Sequence, residues 1–158
     1  MRTKSFPPRE IKPDLKYGSV KVAQLINRVM ISGKKTVAQK QVYQAFEIVK
    51  EKTKKNPVEI YEQVLDKVQP QIEVRTRRVG GASYQVPMPV KSRRAFSLSL
   101  RWLVNEANKR PNREYHSFAE KLAAEMLDVL KEQGGAINRR DTSHKMADAN
   151  KAFAHFRW

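Results

Sequence analysis

There is no cysteine anywhere in the 158 residues. That absence excludes disulfides, thiolate metal sites and a cysteine nucleophile, and it suits a reducing compartment. No apolar run approaches the ~20 residues that a membrane-spanning helix needs. The basic opening, Met1 to Glu10, lacks the apolar region of a secretory signal. Acids are scarce. Lys and Arg number 32 against 16 Asp and Glu, a formal charge of +16. Such a chain repels itself unless a polyanion neutralises it. RNA, DNA and an anionic membrane surface are the candidates. A solvated lysine-rich face is the bland alternative, and the size of the excess counts against it.

Enzyme signatures are missing as well. Gly33-Lys34 resembles the end of a phosphate loop, but Arg28 occupies the place of the glycine that should stand five positions earlier. Gly80-Gly81 lacks the rest of a dinucleotide fingerprint. His116, His144 and His155 have no metal-ligand spacing. No catalytic residue, metal or cofactor is therefore assigned. His144 reads as a hydrogen-bonding or phosphate-contacting residue rather than a base.

What is present reads as helices with one interruption. Val22, Leu25, Ile26, Val29 and Met30 share one helical face, with Ser19 as N-cap and Gly33 as stop. A second stripe runs through Ala38, Val42, Ala45, Phe46 and Val49. A third helix starts at Asn56-Pro57, with Glu59 placed for a capping box, and stops at Pro70. A fourth follows Ser92 with Phe96, Leu100, Leu103, Val104 and Ala107. The fifth carries Ala119, Leu122, Ala123, Met126, Leu127 and Leu130 and ends at Gly134-Gly135. A sixth, about Arg139 to Lys151, is polar nearly all round and needs a partner surface. The expected fold is mainly α: one domain over 1–158, about six helices in a bundle, and a projecting two-stranded β-hairpin arm at 72–90. A basic N-terminal extension (1–18) and a C-terminal tail (152–158) complete it.

The arm, IEVRTRRVGGASYQVPMPV, is signalled by β-branched residues around Gly80-Gly81. Its prolines are compatible with a ladder. If Val79 and Ala82 close the turn, the N–H groups of Ala82, Tyr84, Val86 and Met88 point inward. Positions 87 and 89 then face outward, where no donor is required and added strands are blocked.

From Val74 to Asn105 there is no acid at all. The stretch holds Arg75, Arg77, Arg78, Lys91, Arg93, Arg94 and Arg101. Arginine predominates, and its planar fork suits phosphate and stacks on bases. Arg94 and Arg101 are seven apart, hence on one helical face, and Lys21 and Arg28 repeat that spacing. Arg2, Lys4, Arg9, Lys12 and Lys16 lie among Pro7, Pro8 and Pro13, in a segment expected to order on a polyanion. At the other end Phe153, Phe156 and Trp158 alternate with Lys151, His155 and Arg157. Such aromatics stack on bases or pack back on the protein, and for Phe153 packing is the preferred reading.

Four segments carry a resemblance. They are IKPDLKYGSVKVAQLINRVMISGKK, the arm RRVGGASYQVP, RWLVNEA in the fourth helix, and the closing HKMADANKAFAHFRW. In this order, from Ile11 to Trp158, they resemble the small-subunit ribosomal protein seven family in its bacterial and organellar form. The resemblance implies a helical bundle with a hairpin arm. It also implies direct binding to the 3′ major domain of 16S-type ribosomal RNA, nucleation of head assembly, and a place by exit-site tRNA and the messenger exit path. Neighbouring proteins of the head and platform would be partners, with no membrane. The compartment would be the cytoplasm, or an organelle with its own ribosomes. Some members of the family also repress their own messenger. By position, Lys34, Lys35, Arg75, Arg77, Arg78, Arg93, Arg94 and Arg101 would contact ribosomal RNA, joined on charge by Arg2, Lys4, Arg9, Lys16, Lys21, Arg28 and Lys91. Gly80, Gly81 and Tyr84, with Arg140, His144 and Lys145, would face tRNA or messenger. The opening MRTKSFPPRE, the loop Pro111-Asn112-Arg113, and Phe156 in place of a tyrosine depart from the family pattern. A DNA-binding architectural protein and an RNA-modifying enzyme are the competing classes. A preference for folded single-stranded junctions over duplex DNA separates the first, and a cofactor loop would mark the second.

Overall fold

The computed structural model describes residues 10–157. Its elements run α1 (Val20–Val29), α2 (Lys35–Thr53), α3 (Pro57–Val68), β1 (Ile72–Val79), β2 (Ala82–Pro89), α4 (Ser92–Lys109), α5 (Phe118–Leu130) and α6 (Gly135–Ala149). A short 3-10 helix, Lys151–Phe156, follows. The expected mainly helical fold with one hairpin is the fold found.

The helical stripes become the core. Val22, Leu25 and Ile26 of α1 meet Val42, Ala45, Phe46 and Val49 of α2, Tyr61, Val64 and Leu65 of α3, and Leu103 and Val104 of α4. Leu122 and Met126 of α5 are also fully buried. Each buried Val, Leu, Ile, Phe or Met side chain contributes about 1.5–3 kcal/mol. On α5 the buried positions differ from the expected stripe. Val129 and the carboxylate-bearing Glu125 are buried, whereas Leu127 and Leu130 are half-buried.

Several helix ends also depart from expectation. Ser92 is the first residue of α4 rather than its cap. Lys91 takes the cap position, and its carbonyl accepts from Arg94 and Ala95. Asn56 does cap α3, accepting from the Val58 N–H at 3.1 Å, but its amide donates to Glu59 side chain to side chain, so the reciprocal box is not formed. The capping box is instead at α5, between Ser117 and Glu120. Finally, α6 starts four residues earlier than expected, at Gly135, because Glu125 of α5 supplies a cap from outside. Its Oε1 accepts the Ala136 N–H at 2.8 Å.

Glu125 is 1% exposed. A buried carboxylate needs pairing, and Arg110 at the end of α4 provides it, with Nη2 2.6 Å from Oε2. The same guanidinium also holds Asp128 and donates to the Tyr115 hydroxyl. Burial alone would lower the Arg110 pKa. The bonds to Asp128 and Glu125 outweigh that and raise it. The close approach depends on two glycines. Gly134 has φ +99, a conformation L side chains rarely adopt, and a Cβ there would lie 3.1 Å from Glu125 Oε1. A Cβ on Gly135 would lie 2.9 Å from Glu106 Oε2 and 3.0 Å from its Cβ.

The hairpin has the expected register, Val79 opposite Ala82, with Pro87 opposite Val74 and Pro89 opposite Ile72. Gly80 and Gly81 have φ +58 and +90, as a two-residue turn of this hand requires. The arm is not wholly free of the body. Its outer half is exposed, but Glu73, Val86 and Pro87 at the root are buried against α6 and the 3-10 helix. The arm expected to project is therefore anchored at its root by apolar contacts. The residues are too few and too interrupted by arginine to show as a stripe.

Candidate nucleic-acid interface

The chain puts cations where helix dipoles disfavour them. The first turns of α1, α2 and α4 hold no acid. Lys34 and Lys35 open α2, and Lys91, Arg93 and Arg94 open α4. A cation at a helix N-terminus is unfavourable by about 0.3–1 kcal/mol, and an anion there is favoured. Stability does not explain this arrangement, whereas a bound polyanion would.

Packing of α1 on α4 brings Arg28, Arg93 and Arg101 around one groove of about 350 Å³. Gln24, Asn27 and Ser97 line it with them, and Phe96 and Leu100 form its apolar part. All three arginines are exposed. Among the described residues, none of them has a carboxylate partner. The groove is therefore a concentrated positive field that no carboxylate among the described residues pairs with.

Other predicted contacts prove to be engaged. Lys16 pairs with Glu47 at 2.7 Å and lies over the Tyr17 and Tyr43 rings. Asp14, which accepts the Lys16 and Tyr17 N–H groups and the Tyr43 hydroxyl, pins this segment to α2. The end of the supposed loose extension is thus a docked turn. Burial, and then the bond to Asp14, push the Tyr43 hydroxyl up to about 12. Lys21 turns to Glu62 of α3 at 3.0 Å. Arg2, Lys4 and Arg9 lie outside the described residues, as does Trp158.

Arg94 and Arg75 converge on Glu73, at 2.7 and 2.6 Å. Burial alone would raise the Glu73 carboxyl. The hydrogen bonds from Arg94 and Arg75 outweigh it and hold the carboxyl below its ordinary value. This trio latches the arm root to α4. Its stabilisation is complete above the unfolded carboxylate value of about 4.3 and lost as pH falls through the depressed folded value. Protection of the arm's amides against hydrogen exchange should therefore fall across that acid range, while α2 and α5 stay protected. Glu73→Gln should show the loosened arm already at neutral pH. Equal protection in the two proteins would show that the latch is idle.

Arg75 is exposed but held on Glu73, which leaves Arg77 and Arg78 as the arm's exposed cations without a carboxylate partner among the described residues, beside the exposed Gly80 and Gly81. Tyr84 is not free at the tip. Its ring packs on Phe153 and Phe156, each at 5.3 Å between centroids, and Arg157 Nε donates to the Pro87 carbonyl at 3.1 Å. The C-terminal segment therefore clasps β2, and Phe153 packs back on the protein as preferred. On α6, His144 Nε2 accepts the Gln71 N–H at 3.1 Å and Arg140 Nη1 donates to the Lys67 carbonyl at 2.7 Å. Both tie α6 to the chain entering the arm, and Lys145 alone of the three is exposed. Sequence reasoning missed Glu73 and Glu125. Neither is part of a motif, and the partners Arg94 and Arg110 lie 21 and 15 residues away.

A helical body with a basic arm and an arginine groove empty of acids defines a nucleic-acid-binding protein. Among the described residues no group of His, Cys, Asp or Glu is arranged to hold a metal, and no helix is long and apolar enough to cross a membrane. The family model described as ribosomal protein S7p/S5e matches residues 1–151, and the chain belongs to that family. It is 53% identical over 152 residues to the small ribosomal subunit protein uS7 of Caldanaerobacter subterraneus subsp. tengcongensis, covering 96% of each chain. The protein of that name from Moorella thermoacetica is also 53% identical over 152 residues, with 96% of each chain covered. That from Dictyoglomus thermophilum is 54% identical over 151 residues, covering 96% of this chain and 95% of its own. The chain is a ribosomal, RNA-binding protein, structural rather than enzymatic.

Proposed function

We propose that this protein binds the 3′ major domain of small-subunit ribosomal RNA directly, nucleates assembly of the subunit head, and presents its arm to exit-site tRNA and messenger. The observation that carries the RNA part is the α1–α4 groove, where Arg28, Arg93 and Arg101 meet without a carboxylate. Lys34, Lys35, Lys91, Arg77 and Arg78 extend the exposed basic surface to either side. Arg75 and Arg94 act first on Glu73 and so set the angle of the arm. Gly80, Gly81 and Lys145 are the residues best placed to reach a second RNA. Tyr84, Arg140 and His144 shape the surface on which they stand.

The test is binding of purified protein to small-subunit ribosomal RNA over a range of salt. Each phosphate neutralised on a single strand contributes about −0.7 to the log–log slope. Replacing Arg28, Arg93 and Arg101 together by Ala should flatten the slope by about 2 with the thermal midpoint unchanged. Salt-insensitive binding, or a triple variant with the parent's slope, would overturn the reading.

A further inference from the structure

We infer that the groove between α1 and α4 receives a single unstacked nucleotide of RNA, phosphate outward and base inward. The inference rests on the RNA-binding reading above and adds what the groove selects. A purely electrostatic track needs only cations, yet this groove is built of two kinds of surface. Arg28, Arg93 and Arg101 are exposed around it, whereas the half-buried Phe96 and the buried Leu100 offer an apolar wall. Gln24 and Asn27 add side-chain amides, each with both donors and an acceptor. That combination matches the parts of one nucleotide. A phosphate needs guanidinium, a base face needs an aromatic, and a base edge needs paired donors and acceptors. A volume near 350 Å³ is at the small end of ligand sites, which run roughly 300–1,000 Å³. A paired RNA helix keeps its base faces stacked and its major-groove edges in a deep, narrow groove that side chains cannot read, so the aromatic face of Phe96 would serve nothing there.

Three RNA stems of the same length serve as probes: fully paired, with one bulged adenosine, and with an abasic bulge. Protein should bind the bulged stem about tenfold tighter than the other two. Phe96→Leu keeps the apolar volume and removes the aromatic face. It should lower affinity for the bulged adenosine to that for the abasic stem and leave the other two unchanged. Asn27→Ala, at an exposed position, should weaken binding of the bulged adenosine and leave the paired and abasic stems unchanged. The triple arginine variant should weaken all three stems alike. Equal binding of bulged and abasic stems by the parent protein would overturn the nucleotide pocket while leaving the RNA-binding reading intact. Failure to bind any stem, or displacement of the bulged stem by an oligoglutamate peptide at equal affinity in the parent and Phe96→Leu proteins, would assign the groove to another partner.

Discussion

Arg110→Ala should destabilise the fold by about 3–5 kcal/mol, because it strands a buried carboxylate. Glu125 is almost without solvent contact, and Arg110 is the cation that faces it. Asp128 loses the same partner, and the end of α4 loses its tie to α5. For a chain of this length the thermal midpoint should fall by roughly 6–20 °C. A second variant separates charge from packing. Replacing Arg110 and Glu125 together by Met removes the stranded charge and should recover part of the loss. Recovery should be incomplete, since the Ala136 N–H then has no acceptor at the start of α6. Thermal unfolding of both proteins is the measurement. A midpoint for Arg110→Ala within about 2 °C of the parent, less than 1 kcal/mol, would show that water replaces the guanidinium and the pair is dispensable.

The second large effect concerns the arm. Exchanging Arg78 to Ser83 for an Asn-Gly turn joins Arg77 directly to Tyr84, which already face each other in the ladder. The shortened arm keeps Tyr84 against Phe153 and Phe156, keeps Val86 and Pro87 buried, and keeps the Glu73 latch. Thermal stability should therefore be unchanged. With the α1–α4 groove untouched, incorporation into reconstituted small subunits should also be close to normal. Retention of exit-site tRNA should fall severalfold, because the exposed tip is gone. A cut that also removed Tyr84 would confuse the result by releasing the C-terminal segment. Failure of the shortened protein to enter subunits would make the tip the primary RNA anchor and overturn the division of labour proposed here.

The helices were legible because apolar residues recur at helical spacing on α1, α2, α4 and α5, and the hairpin was legible because Gly-Gly between β-branched residues has few other uses. The placement of the prolines in β2 followed from ladder geometry alone. What stayed hidden was polar and long-range. Glu125 lies on an otherwise apolar face, so it breaks the stripe instead of announcing a role. Gly134-Gly135 reads as a helix stop, and only the cap that Glu125 supplies turns it into a start. Glu73 sits one residue outside the acid-free stretch. That boundary made Arg94 look like a free RNA contact, whereas it is bonded to the arm. Tyr84 meets Phe153 across some seventy positions, a pairing no periodicity reports. The groove was half visible: Arg28 and the arginines of α4 stood out as basic faces, and only the packing of α1 on α4 makes them converge.

The approach of Glu106 and Glu125 to the start of α6 also bears on how such a chain can change over generations. Gly134 and Gly135 leave those carboxylates no room for a neighbour with a side chain. An alanine at Gly135 would meet the stem of Glu106 as well as its tip, and shortening Glu106 would relieve the contacts with Cγ and Oε2 while the one with Cβ, at 3.0 Å, remains. Gly135 and Glu106 are therefore coupled, so that the cost of a change at one depends on the residue at the other. Variation at this corner is constrained by that contact between two helices, even though neither residue lines the arginine groove.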